Sequence, residues 1–277
     1  MTNLSTLHAV KVVAAKEFRD RIRSRWVLAM AVVFTIFTLA ISFFGSAQQG
    51  LVGFQGIEPL IASLVSLAIY LLPLIALILG FDAIVGEKEK GTLNLLLSYP
   101  LSPLALLTGK YLGLALAMSC ATLIGFGAAG AVIAVNVSMP AADWLQYAGF
   151  VVSALLLGLV FLSIAVALSV FCQSRTSASG LAIGIWFFFV LVFDLLLLGA
   201  LVISGGASLG PLFPILLLLN PADIFRILNI FGPEDLHAMF GLISVFPPSL
   251  ADPLLLGGIM VMWILSPLAI AAWRFKQ

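Results

Sequence analysis

The chain has 277 residues, of which 62% are hydrophobic and only 9% charged, with a formal net charge of +1. A soluble domain is roughly 45–50% apolar and about 25% charged, so 13 basic and 12 acidic side chains cannot clothe a water-facing surface of this size. These values exclude an ordinary soluble enzyme, a disordered chain and a nucleic-acid binder, and they make lipid the solvent.

In chain order, residues 1–25 predict an amphipathic helix: Leu4, Leu7, Ala14, Phe18 and Ile22 recur at roughly helical spacing, and basic residues fill the other face. Such a helix lies in the headgroup layer with its cations on anionic lipid, the alternative being a basic flank that only sets topology. A spanning helix needs about 20 mostly apolar residues. Six stretches qualify: 26–45, 60–81, 111–135, 147–171, 181–203 and 253–273. They predict an all-α polytopic protein, a single transmembrane domain over 1–277, rather than a barrel of short alternating strands. The first apolar run exceeds the roughly 7–15 residues of a signal peptide and is expected to be retained. Residues 82–110 form a long connection between the second and third spans. Residues 204–252 form an outer segment with two apolar runs, 212–219 and 240–246, too short to span and expected to be re-entrant or interfacial helices.

The third span carries a small residue at every fourth position: Gly109, Gly113, Ala117, Ala121, Gly125 and Ala129. Such a stripe admits another helix closely, either within one subunit, which is favoured, or between subunits. Lys and Arg set the orientation. Lys11, Lys16, Arg19, Arg21, Arg23, Arg25, Lys88, Lys90, Lys110, Arg175, Arg274 and Lys276 fall on one side, and only Arg226 on the other. Both termini are therefore expected to be cytoplasmic. Cys120 and Cys172 support no disulfide. Asp194 is the one ionisable group deep in a span, with no Lys or Arg inside the spans to neutralise it. It is expected to be protonated or to face water, either as a contact on a substrate or proton pathway or as a hydrogen-bonded structural group.

The most informative stretch is 86–103, GEKEKGTLNLLLSYPLSP. Glu87, Lys88, Glu89 and Lys90 are polar, Gly91 interrupts, and Leu93, Leu95, Leu96 and Leu97 make a short apolar surface ended by Tyr99-Pro100. Charges that set register and leucines that fill a groove suit a docking element, and an ordinary surface loop with one amphipathic turn fits as well. This stretch resembles the coupling segment of ABC-2 type permeases, the membrane subunits of ABC transporters. In that family a Glu-rich turn containing Gly-Thr-Leu precedes Leu-Leu-Ser-x-Pro-x-Ser; here Gly91-Thr92-Leu93 precedes Leu96-Leu97-Ser98-Tyr99-Pro100-Leu101-Ser102. The loop CQSRTSASG, with Arg175, sits where a second coupling element belongs. Within the family, residues 219–226 (LNPADIFR) and the compact six-span layout are most similar to permeases of the nitrous oxide reductase maturation system.

The resemblance implies a homodimer with a cytoplasmic ABC ATPase dimer beneath, a periplasmic accessory protein above, and a role in building the reductase's copper–sulfur cluster. It implies ATPase-coupling contacts at Gly86, Glu87, Lys88, Glu89, Gly91, Thr92, Leu93, Leu96, Leu97 and Arg175. Asp194 is the candidate pathway residue, and Asp223, Arg226, Glu234 and Asp235 are candidates for an outer partner contact. ATP and Mg are expected on the partner ATPase, with no cofactor or metal on this chain. The sequence has no G-x-x-x-x-G-K-[ST] loop, its one Gly-Lys pair being Gly109-Lys110 before Tyr111. It has no H-E-x-x-H or G-x-S-x-G, and His8 and His237 fall on opposite sides. Met118 and Cys120, like Met260 and Met262, are two residues apart and about 200° around a helix, so neither pair shares a face. That favours core packing over a copper path, and a sulfur species or a mechanical signal over a copper ion. The alternative from another class is a secondary transporter or channel with no ATPase partner.

Overall fold

The computed structural model describes residues 6–23, 25–44, 57–99, 101–136, 138–203, 212–229, 250 and 252–275. Helix α1 (Thr6–Ile22) leads into α2 (Arg25–Phe44) and α3 (Ile57–Gly80). Two short helices follow, α4 (Val85–Glu89) and α5 (Thr92–Ser98). Then come α6 (Pro103–Asn136), α7 (Ala141–Phe171), and α8 (Arg175–Phe187) joined through a π turn to α9 (Phe193–Ile203). The pair α10 (Leu212–Leu218) and α11 (Pro221–Leu228) precedes α12 (Pro253–Phe275). Among the described residues, five helical stretches are long and apolar enough to cross a membrane, and the shorter apolar helix 28–44 lies at the first expected span. The chain is an all-α polytopic membrane protein.

Helix α7 is apolar all round and sits at the centre, packed against α3, α6, α11 and α12. Phe150, Ala154, Leu157, Phe161, Ala165 and Val166 along it are fully buried. Lipid supplies no hydrophobic drive for helices to associate, so close packing and hydrogen bonds carry the assembly. At Gly80 of α3 a Cβ would come 2.7 Å from the Cβ of Ala165, so glycine lets α3 approach α7 this closely. The Tyr147 hydroxyl donates to the Phe126 carbonyl at 2.8 Å, tying α7 to α6.

Helix α6 is longer than the expected span, running from Pro103 rather than from residue 111. Ser102 accepts from the Ala105 N–H at 3.1 Å as its N-cap, and proline stands at the first helical position. Lys110 does not end the helix because its charge is met by carboxylates. The extra turns give α1 a bed. A Cβ at Gly109 would lie 2.7 Å from Val13, and one at Gly113 would lie 2.7 Å from the Ala14 carbonyl. One at Gly125 would meet Phe34 of α2 at 2.6 Å. The small-residue stripe thus receives α1 and α2 of its own chain. The buried line of α1 keeps the expected Ala14 and Phe18 and adds Glu17, which faces α6, whereas Leu7 and Ile22 are exposed and Leu4 lies outside the described residues. An acid lies on that buried line, which is why an apolar-spacing count missed part of it.

The α10–α11 pair packs against the bundle at mid-length of α12. The Trp263 indole N–H of α12, about 15 Å along that helix from Pro253, donates to the Leu218 carbonyl at 3.2 Å. Irregular backbone at membrane depth is tolerated only where protein satisfies it. Asn220 meets that demand by capping the Ala222 N–H at 3.0 Å and donating to the Phe189 carbonyl, also at 3.0 Å. At the other end of α11, Asn229 donates to Ser153 Oγ of α7 at 2.9 Å. The second expected short helix, 240–246, lies outside the described residues.

Candidate functional site

At the basic end of the bundle, α1, the 81–99 segment, the start of α6 and the α7–α8 turn converge. Lys110 is the hub. It is 5% exposed, and its Nζ lies 3.2 Å from Glu17 Oε2 of α1 and 3.0 Å from Glu87 Oε1 of α4. Glu17 also pairs with Arg21 at 3.2 Å, and Thr92 Oγ1 donates to the other Glu87 oxygen. Burial alone would raise the Glu87 pKa, but Thr92 and Lys110, with Lys16 nearby, outweigh it and hold the carboxyl below its ordinary 4.5. Glu87 is therefore ionised across the neutral range.

A second knot joins the 81–91 segment to the α7–α8 turn. Arg175 Nε lies 2.6 Å from Asp82 Oδ1, and its Nη2 donates to Asp82 Oδ2 at 2.9 Å. Its backbone N–H, the first of α8, donates to Glu89 Oε1 at 2.7 Å, so a carboxylate from α4 sits on the N-terminus of α8. Gly86 makes room for this pair, since a Cβ there would lie 2.8 Å from Arg175 Nη2. Lys88 Nζ donates to the Val170 carbonyl at 2.7 Å and more distantly to that of Cys172, at the C-terminal end of α7. Burial, with the charge of Arg274, lowers the Lys88 pKa. The Ile84 and Val85 N–H groups both donate to Ser169 Oγ of α7 at 2.9 Å. Segment 81–91 is thereby bolted to α6, α7 and α8, and through Lys110 it is linked to α1.

What this platform carries is α5. Gly91 adopts φ 70°, a left-handed conformation that favours glycine, and it turns the chain from α4 into α5. No residue of α5 is buried. Leu95 and Leu97 are 61% and 36% exposed, Tyr99 just beyond is exposed, and only Leu93 packs back on the core. Leu96 is half-buried.

The expected coupling residues thus divide: Glu87, Lys88, Glu89, Thr92 and Arg175 are engaged within the chain, Leu93 packs back on the core, Leu96 is half-buried and Leu97 is exposed, as is Leu95, which was not among them. Glu17, Asp82, Lys110 and Ser169 belong to the site and were not anticipated. The available signals were Asp82 and Lys110 at the edges of apolar runs, and Glu17 as an acid set among cations.

A second charged cluster lies in the half of the bundle away from the basic end. Asp194 is not left to protonation or water alone, as a search confined to the spans suggested. Arg226 Nη1, from α11, lies 2.8 Å from Asp194 Oδ2 and 2.6 Å from Asp223 Oδ1. Asn220 donates to Asp223 Oδ2 at 2.9 Å. Asp223 is 1% exposed and Arg226 is half-buried, so within this chain both face inward rather than outward. Glu234 and Asp235 lie outside the described residues. The π turn Phe188–Val192 precedes Asp194, and its extra residue turns all that follows by about 100°. Phe189, within that turn, packs edge-on against Phe161 and Trp263. Met118 abuts Gly158 in the core, Met260 is buried and Met262 is exposed. Among the described residues no group of three or more His, Cys, Asp or Glu side chains is placed to hold a metal ion.

A polytopic helical bundle that bolts a short charged segment to one end, and offers a leucine helix from it, has the build of a transporter's membrane subunit. The chain belongs to the ABC-2 family of transporter proteins, whose family profile matches residues 11–277. It is 46% identical over 272 residues to the probable ABC transporter permease protein NosY of Pseudomonas aeruginosa, covering 97% of this chain and 98% of the relative. It is 47% identical over 236 residues to the protein of the same name from Stutzerimonas stutzeri, covering 84% and 85%. The chain is accordingly an ABC-2 permease, a multi-pass protein of the inner membrane, and membership implies a separate ATPase partner.

Proposed function

We propose that this permease couples ATP hydrolysis on a cytoplasmic ATPase dimer to export or mechanotransmission across the inner membrane, with α5 as the docking helix. The observation that carries this is the contrast within 81–99: every charge of α4 is spent on the bundle, while Leu95 and Leu97 are exposed. The excess of Lys and Arg places this end in the cytoplasm. ATP and Mg are held by the ATPase, and this chain binds no cofactor of its own. A second copy of the chain completes the permease, and a periplasmic accessory protein meets the outer segment.

The specific role is support of copper–sulfur cluster assembly in nitrous oxide reductase, with a sulfur species as cargo. It rests on the likeness of residues 219–226 to permeases of that system. The structure supports re-entry of this stretch to about the depth of Trp263, where movement of the bundle would reach it. The test is a strain lacking the chain: reductase protein should accumulate without its copper–sulfur cluster, and restoring the wild-type chain should restore the cluster. Normal cluster content in the deletion strain would exclude the role.

A further inference from the structure

Two cavities adjoin where α1 meets the basic ends of α2 and α3. One, about 450 Å³, is walled by Ala29, Met30 and Val33 of α2 and by Ile75, Ile78 and Leu79 of α3. The other, about 290 Å³, is polar, and five cationic and four acidic side chains line it. They share Arg21 and Asp82. A cavity that is apolar along one arm and charged at its mouth matches an amphiphile.

The apolar arm follows α3 from Ile75 to Asp82, about 10 Å or two turns. That is short for a packed transmembrane helix of a second copy and sufficient for the upper part of an acyl chain. The arm opens on α2, where Leu28, Val32 and Ile36 are exposed to the hydrocarbon. At the mouth, Arg21 pairs with Glu17 at 3.2 Å. A guanidinium has five N–H donors in a planar fork, a geometry that recognises carboxylates and phosphates alike. Lys16 lines the polar arm and is exposed. The excess of cations over acids on these walls suits a phosphate more than an ammonium.

We propose that the joined cavities bind one glycerophospholipid of the adjacent leaflet, an acyl chain between α2 and α3 and the phosphate on Arg21 and Lys16. The headgroup then lies against the wall that carries Glu17, Glu87 and Lys110. The lipid becomes part of the footing on which the coupling segment stands. This inference does not depend on which side of the membrane the basic end faces.

The test is native mass spectrometry of the full chain with its ATPase, released from nanodiscs of defined phosphatidylglycerol and phosphatidylethanolamine content and washed in detergent. The wild-type chain should retain one phospholipid per copy. Ala29→Trp with Ile78→Trp fills the apolar arm from two exposed wall positions and should lower retention at least tenfold. Lys16→Gln with Arg21→Gln should do the same by removing the phosphate partners. Lys11→Gln with Arg19→Gln removes the same charge from exposed positions of α1 that line neither cavity and should leave retention unchanged. Unchanged retention in the tryptophan variant, equal loss in the Lys11/Arg19 control, or a wild-type chain free of phospholipid would each overturn the site. So would a tryptophan variant that keeps its lipid but no longer pairs with its second copy, since the groove would then be a subunit contact.

Discussion

Lys110 is buried between two carboxylates from different helices, and Glu17 also pairs with Arg21. Removing one partner of a buried ion pair costs roughly 3–5 kcal/mol, because the remaining charge stays desolvated. Lys110→Met should therefore loosen α4 from α1, seen as faster hydrogen exchange over 84–91 and weaker coupling of ATP hydrolysis. The two glutamates of α4 should differ under reversal. Glu87→Lys places a cation 3.0 Å from Lys110 in a mostly enclosed position, whereas Glu89→Lys loses a helix cap at a third-exposed site. The Glu87 reversal should uncouple the complex and the Glu89 reversal should be mild. Equal effects would mean that these charges meet the ATPase directly. In the outer cluster, Arg226→Gln leaves Asp194 facing the buried Asp223 and should lower thermal stability sharply. Asp194→Asn should cost about 1–3 kcal/mol, in the range of an imperfectly replaced partner. The double variant should be less harmful than the sum of the two singles, because no carboxylate repulsion remains on Asp194; strict additivity would show that Asp194 and Arg226 act independently.

Among the elements, the spanning helices were legible because 20 apolar residues have few other fates in water or lipid. Their ends were not. Windowed hydropathy stops at the first charge, so α6 seemed to begin at 111, when Lys110 is simply a buried, paired charge. The same blindness hid part of the face of α1, whose buried line includes Glu17. The small-residue stripe was readable as a packing face, but its partner was not, since a stripe does not say which helix it receives. The geometry now supplies a test. Gly113→Leu drives a side chain into the backbone of α1 at Ala14, where even a Cβ would stand 2.7 Å from the carbonyl. It should displace α1 and expose 6–22 to proteolysis while the spans remain folded. Protection equal to wild type would mean that α1 gains little from this bed.

Across the whole molecule, α7 links the two ends. Ser169 holds the start of α4 and Ser153 holds the end of α11, and the 16 residues between them span about 24 Å. One central helix thus touches both the proposed coupling segment and the α10–α11 pair, which is the arrangement a mechanical signal requires. The sequence exposed the candidate segment through its charges and leucines, yet it could not tell which of them faced the bundle, because that depends on Lys110, Ser169 and Arg175 arriving from helices distant in the chain. The one-sided distribution of Lys and Arg leads us to propose cytoplasmic termini. With Cys120 and Cys172 replaced, a cysteine at Ala141 should react with an impermeant maleimide outside intact cells and one at Lys90 should not; labelling at 90 would reverse the assignment. The central claim is that the pinned segment offers α5 to the ATPase. The direct measurement is the amount of ATPase that co-purifies with the full chain carrying Leu95→Asp. A central apolar contact is worth about 2 kcal/mol or more, roughly thirtyfold in affinity. The account predicts that this chain remains monodisperse and loses its ATPase, and an ATPase retained at wild-type stoichiometry with normal coupling would contradict it.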